Sequence, residues 1–204
     1  QYYDIFRRER TKILHGLSKI LIKNPTKMNK RIAIDMDEVM AEPVSRFEEW
    51  YYRDFGERIS YPRVASKLFP DTIPEERRET VKQYLHTKGF FADLPIIEGS
   101  QEVVKELMDN GFEIFIATAA MQFKYSFEDK YDWLAEHFPF IPWKNIVFCG
   151  DKSIIHADYL IDDSPYQLRA FSGTGLLFDA HHNQKETNFT RVHNWQEVRA
   201  YFLK

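Results

Sequence analysis

The sequence predicts an α/β protein, a Rossmann-like parallel sheet with helices on both faces and a small helical cap inserted after the first strand. Three observations carry this. Short apolar runs alternate with helical patterns along most of the 204 residues, as expected for β-α-β units and a parallel sheet. The alternation breaks over residues 41–95, where helical segments occur without a convincing buried strand. Four strand ends carry polar residues capable of chemistry, and open parallel sheets bind their ligands at the carboxyl ends of strands.

The elements follow in chain order. Residues 1–27 carry Arg7, Arg8, Arg10, Lys12, Lys19, Lys23 and Lys27 against Asp4 and Glu9, with Ile13, Leu14, Leu17, Ile20 and Leu21 at helical spacing. This predicts a basic amphipathic helix ended by Asn24-Pro25. Two readings stay open for it: a membrane-surface or partner-binding helix, or a start assigned upstream of Met28. Residues 28–40 and 96–204 form the expected core. Its first strand is Arg31 to Asp35, and the later apolar runs are Phe112 to Ala117, Ile146 to Cys149, Tyr159 to Ile161 and Gly175 to Phe178. Helical patterns lie between them: Val103, Val104, Leu107 and Met108; Tyr131, Leu134, Ala135 and Phe138; Leu168 and Phe171; Val198, Tyr201 and Phe202. Asn110-Gly111 is a good stop for the first of these helices. The insert has helical segments over Val44 to Phe55 and Pro74 to Thr87.

Composition limits the function classes. Apolar residues make up 44% and charged residues 29% of the chain, ordinary values for a globular protein. The net charge of −3 gives no reason to expect a long nucleic acid as partner. No apolar run approaches the roughly 20 residues needed to span a bilayer, so a membrane role would rest on residues 1–27. One cysteine, Cys149, excludes an internal disulfide and fits a reducing, cytoplasmic setting. A homodimer is compatible with these data.

The strand ends hold the candidate chemistry. Asp35-Met36-Asp37 places two acids in one tight turn, with Asp35 able to act as a nucleophile and Asp37 as general acid and base. A carboxylate nucleophile splits phosphate ester hydrolysis into two steps through an aspartyl phosphate. The alternative for this pair is a solvated acidic loop or a helix N-terminus. Thr118, after Glu113-Ile114-Phe115-Ile116-Ala117, offers a hydroxyl and neighbouring backbone N–H groups to a phosphate oxygen; it could equally be a helix cap. Lys152, after Gly150-Asp151, can neutralise phosphoryl charge or be a surface lysine. Asp162-Asp163 ends an apolar run, and two like charges so close need a cation or a raised pKa. Mg²⁺ takes oxygen ligands and retains waters; Asp35, the Asp37 carbonyl and one acid of the later pair would supply about half of its shell. A capping aspartate before the helix begun by Pro165 is the other reading. The order of the four motifs, each at a predicted strand end, favours the catalytic reading over the separate structural ones. His181 and His182 are expected in a loop after the last strand.

These motifs resemble those of the haloacid dehalogenase superfamily of phosphohydrolases, and more closely those of the bacterial 5'(3')-deoxyribonucleotidases. The similarity runs from Met28 onward. It includes Gly89-Phe90-Phe91-Ala92-Asp93-Leu94, Asp129-Lys130-Tyr131-Asp132-Trp133, Ala157 to Asp163, and His182-Asn183-Gln184. The resemblance implies hydrolysis of deoxyribonucleoside monophosphates with Mg²⁺ as cofactor. It implies that Asp35 is nucleophile and metal ligand, and that Asp37 is the acid–base with its carbonyl on the metal. Asp163 would be the direct metal ligand, supported by Asp162. Thr118, the Ala119 N–H and Lys152 would hold the phosphate. Lys130 lies where the family places a further basic residue, or is a surface lysine. Phe90 and Phe91 are either base-stacking residues or core aromatics joining insert to sheet. The chain departs from the animal members at three positions: Glu38 stands where they often have Gly, Pro43 where they have a base-contacting aromatic, and Ala119 where they have Ser. Residues 59–79 do not align cleanly with the animal base pocket, which leaves base and sugar preference open.

Overall fold

The computed structural model describes residues 29–59 and 67–203. The expected basic helix over residues 1–27 lies outside them. Six parallel strands form one sheet: β1 (Arg31–Ile34), β2 (Glu113–Thr118), β3 (Ile146–Phe148), β4 (Tyr159–Asp162), β5 (Thr174–Phe178) and β6 (Thr190–Val192), in the order β3-β2-β1-β4-β5-β6. This is the α/β architecture the sequence predicts. The doubly wound order reverses at β1, and such a reversal opens a crevice at the carboxyl ends of the strands. The strand β6 was not expected, because three residues beginning with Thr190-Arg191 give no apolar run.

Alternation along the strands splits the core into two layers. Ile32, Ile34, Ile114, Ile116, Ile161, Leu176 and Phe178 face one layer, whereas Ala33, Leu160 and Leu177 face the other with Leu168 and Phe171. The first layer takes helices α3 (Ser100–Asp109), α4 (Ser126–His137) and α6 (Trp195–Phe202), and the second takes α5 (Pro165–Ala170). Helix α3 ends at Asn110, followed by Gly111 at φ +88°, the left-handed stop that glycine takes without a Cβ penalty.

In α4 and at its C-cap, Leu134 and Phe138 are buried as expected, but the buried stripe is rotated away from the other two expected positions. Tyr131 and Ala135 are exposed, and the buried stripe is Ser126, Asp129, Lys130, Trp133 and Leu134. Trp133 sets this rotation: it is fully buried and its Nε1 donates to the Leu94 carbonyl at 2.8 Å.

Between β1 and β2 the chain leaves the sheet to form α1 (Val44–Phe55) and α2 (Glu75–Tyr84). An antiparallel bridge between Ala41 and Ile96 ties the outgoing and returning segments together. The insert shares the first core layer through Phe47, Tyr51, Val81, Tyr84 and Phe90. Arg46, on the buried side of α1, donates to the carbonyls of Gly89 at 2.8 Å and Asp93 at 3.3 Å and pairs with the Asp93 carboxylate.

Candidate active site

Sheet register builds the site. Ile34 pairs with Ile116 on one side and Ile161 on the other, so the next residues, Asp35, Ala117-Thr118 and Asp162, emerge at one level. The Asp35 N–H donates to the Ile161 carbonyl at 2.9 Å, continuing the ladder one step past β1. The chain then turns tightly, with the N–H groups of Met40 and Ala41 both donating to the Met36 carbonyl at 2.8 and 2.9 Å. Within this turn Glu38 has φ +54°, the one positive φ outside glycine among the described residues. A non-glycine residue there costs on the order of 1–2 kcal/mol.

Asp35 Oδ1 accepts from the Met36 N–H at 2.8 Å and lies 2.9 Å from Lys152 Nζ. One carboxylate oxygen is therefore fixed by two donors. Asp37 meets Lys130, whose Nζ donates to Asp37 Oδ2 at 2.5 Å and to Thr118 Oγ1 at 3.0 Å. Lys130 is fully buried, so it is no surface lysine; its place on the buried stripe of α4 delivers it to the end of β2. Burial pushes the Asp37 carboxyl above its usual range; Lys130 opposes the rise and the Asp35 charge adds to it. Asp37 Oδ1 accepts no hydrogen bond from the described residues. Thr118 ends β2 fully buried, and the next helix begins only at Ser126. It does not cap a helix.

Lys152 sits in a short 3₁₀ turn after β3, fixed by its N–H donating to Gln167 Oε1 at 3.0 Å. Its ammonium lies 2.5 Å from Asp162 Oδ2 as well as near Asp35. Burial disfavours this charge, but the two carboxylates outweigh it and keep Lys152 protonated beyond the usual lysine range. Asp162 Oδ1 accepts from the Ser164 N–H at 2.8 Å, so both of its oxygens are engaged. Burial and the Asp35 charge push its carboxyl up to about 6, against the pull of Lys152. Asp163 is raised more strongly, by burial and then by Glu38, Asp162 and Asp35.

Asp35, Asp162 and Asp163 each offer an oxygen within 4.8 Å of the others. Three carboxylates so close, with one lysine among them, need further positive charge. The donor set is all oxygen and suits a hard divalent cation. With both Asp162 oxygens occupied, Asp163 and Asp35 are the carboxylates left to reach it.

Phe90 is fully buried, edge-on to Phe47 and Trp50 with centroids 4.8 and 5.3 Å away. It belongs to the aromatic core joining insert to sheet and has no face to offer a base. Phe91 is 3% exposed, stacks on Phe123 at 6.0 Å and lies under Lys130, whose Nζ is 4.9 Å from the ring centroid.

Sequence reasoning set His182 aside as loop, and the structure brings it to the acids. Its Nδ1 is 3.4 Å from Glu38 Oε2 and its Nε2 is 3.3 Å from Asp163 Oδ2. Burial disfavours the imidazolium, but Glu38 and Asp163 outweigh this and raise the His182 pKa. No local pattern marks this contact, since Glu38 and His182 meet only through the sheet.

Two aspartates at the end of the first strand, a threonine at the end of the second, two buried lysines and a late acid pair thus meet in one place, the setting of a haloacid dehalogenase-type phosphoric monoester hydrolase. Solved structures share the fold: a haloacid dehalogenase family hydrolase from Deinococcus radiodurans gives a TM-score of 0.55 at 13% identity, covering 85% of this chain and 94% of that one. A relative from Staphylococcus epidermidis is 44% identical over 173 residues, covering 85% of this chain and 96% of its own. The 5'(3')-deoxyribonucleotidase of Bacillus subtilis is 38% identical over 188 residues, covering 86% of this chain and all (100%) of its own. Residues 29–204 match the profile of the 5' nucleotidase, deoxy (pyrimidine), cytosolic type C family, and the chain belongs to that family.

Proposed function

We propose that this protein hydrolyses the phosphate monoester of deoxyribonucleoside 5'- or 3'-monophosphates, with Mg²⁺, through an aspartyl-phosphate intermediate. The observation that carries the reading is the meeting of Asp35, Asp37, Thr118, Lys130, Lys152 and Asp163 at the carboxyl ends of neighbouring parallel strands. The nucleotide is favoured by the family to which the chain belongs and by the name of its Bacillus subtilis relative.

Asp35 Oδ2 attacks phosphorus while Lys152 holds Oδ1 in place. Asp37, whose carboxyl burial raises above its usual range, gives a proton to the leaving nucleoside oxygen. It then takes a proton from the water that attacks the acyl phosphate, so that one residue serves both half-reactions. The Thr118 hydroxyl, the Ala119 N–H, Lys130 and Lys152 bind the phosphoryl oxygens and offset their developing charge. Asp35, the Asp37 carbonyl and Asp163 would hold Mg²⁺, with Asp162 in support; when bound, the ion supplies positive charge to the phosphoryl oxygens. The free, buried Cys149 supports a reducing compartment such as the cytoplasm as the place of work.

The decisive experiment is a substrate screen with Mg²⁺, comparing deoxyribonucleoside and ribonucleoside monophosphates with sugar phosphates by phosphate release. Higher kcat/KM for deoxyribonucleotides than for every sugar phosphate is expected. Preference for a sugar phosphate would leave a phosphatase of another small ester.

A further inference from the structure

We infer that His182, carried on a turn anchored by Asn183, is a positioning residue for the metal ligand Asp163; this rests on the metal-dependent reading above. The 3₁₀ turn His181–Asn183 touches Asp163 in two places. His182 Nε2 approaches its side-chain Oδ2 at 3.3 Å, and Asn183 Nδ2 donates to its backbone carbonyl at 2.8 Å.

The turn that makes these contacts is itself rigid. Asn183 is 3% exposed and spends its whole amide on neighbours. Nδ2 also donates to the Phe178 carbonyl at 2.8 Å, while Oδ1 accepts from the Ala180 N–H at 3.2 Å and from Arg191 at 2.7 Å. Arg191, on β6, further donates to Asp179 Oδ1 at 2.7 Å and to the backbone carbonyls of Asn183 and Glu186, each at 2.9 Å. Two strand ends, β4 through Asp163 and β5 through Phe178, are thus locked together by one amide.

On this base the imidazole of His182 stands between two acids, Asp163 and Glu38. Without it the carboxylate of Asp163 would face Glu38 directly, and repulsion would turn it from the oxygen cluster formed with Asp35 and Asp162. Partners that orient metal ligands typically change metal affinity about 10–100-fold when removed.

The test is calorimetric titration of Mg²⁺ into the full-length protein, paired with turnover at graded Mg²⁺, for wild type, His182→Leu, His182→Gln and Asp163→Asn. His182→Leu keeps bulk without a donor; His182→Gln keeps one donor. His182→Leu is expected to weaken Mg²⁺ binding on the order of 10-fold or more. At saturating Mg²⁺ its kcat and its KM for the ester should return close to wild type, and His182→Gln should recover most of the Mg²⁺ affinity. Unchanged Mg²⁺ affinity in His182→Leu, alongside weakened binding in Asp163→Asn, overturns the positioning role alone. Wild-type Mg²⁺ affinity in Asp163→Asn overturns the metal assignment beneath it.

Discussion

At the scale of single residues, the two aspartates of the first turn have different surroundings, and the proposed mechanism gives them different work. Asp35 accepts from the Met36 N–H and pairs with Lys152, whereas Asp37 is half-buried, pairs with Lys130 and has a raised pKa. The roles separate experimentally with an aryl phosphate, whose phenolate departs without a proton. Asp35→Asn should lower kcat by at least about 10³-fold on deoxyribonucleotides and aryl phosphate alike, because no covalent step remains. Asp37→Asn should release a burst of phenolate approaching one equivalent and then stall, because the acyl phosphate lacks its base. Rapid-quench measurement with p-nitrophenyl phosphate checks both; absence of a burst in Asp37→Asn would place its work before the intermediate. Lys130 was legible as a family position but not as a contact. Its signal was helical phase: a lysine among Ser126, Asp129, Trp133 and Leu134 on the buried stripe of α4, which a phase set by Tyr131 and Ala135 conceals.

At the scale of elements, the loops that carry chemistry are tied to the scaffold by side chains far away in sequence. Trp195, at the first position of α6, is fully buried and donates from Nε1 to the Val39 carbonyl at 2.8 Å. It holds the turn containing Asp37 and Glu38 against the sheet. Trp195→Phe keeps most of the apolar volume but leaves the Val39 carbonyl unpaired, at a cost of about 1–3 kcal/mol. Chemical denaturation should show that loss, and kcat should fall with it as the turn loosens; stability within about 0.5 kcal/mol of wild type would show that the bond contributes little. Strand β6 escaped sequence reading for a related reason. It is a three-residue edge strand whose Arg191 is chosen for Asp179 and Asn183 rather than for burial.

At the scale of the whole molecule, the acid cluster sets the response to pH and metal. Asp162 is raised to about 6 and Asp163 is also raised, so the folded protein binds these protons more tightly than the unfolded chain. In the absence of metal, stability from this site is highest at acid pH and is lost as pH rises from about 4 through about 6. On the proposed metal-dependent reading, Mg²⁺ would bind the deprotonated carboxylates and oppose that loss. Thermal unfolding should therefore show a larger Mg²⁺-induced rise in Tm at pH 7.5 than at pH 5, and Asp163→Asn should reduce the rise at pH 7.5. An equal Mg²⁺ effect at both pH values would contradict the assignment. Among the described residues no helix is long and apolar enough to cross a membrane.

The sequence by itself determined five of the six strands, the helices that cover them and the position of each motif, because apolar periodicity and turn residues are local signals. It also singled out Asp35, Asp37, Thr118, Lys152 and Asp163 as candidates, since each lies at or within three residues of the end of an apolar run. Only tertiary structure shows the partners of the late acids: Asp162 is taken by Lys152 and the Ser164 N–H, while Asp163 meets His182. The same holds for Lys130 on Asp37, for Phe90 as core, and for His182 between Glu38 and Asp163. These contacts join residues tens to more than a hundred positions apart, so they exist only once strand register has brought the loops together.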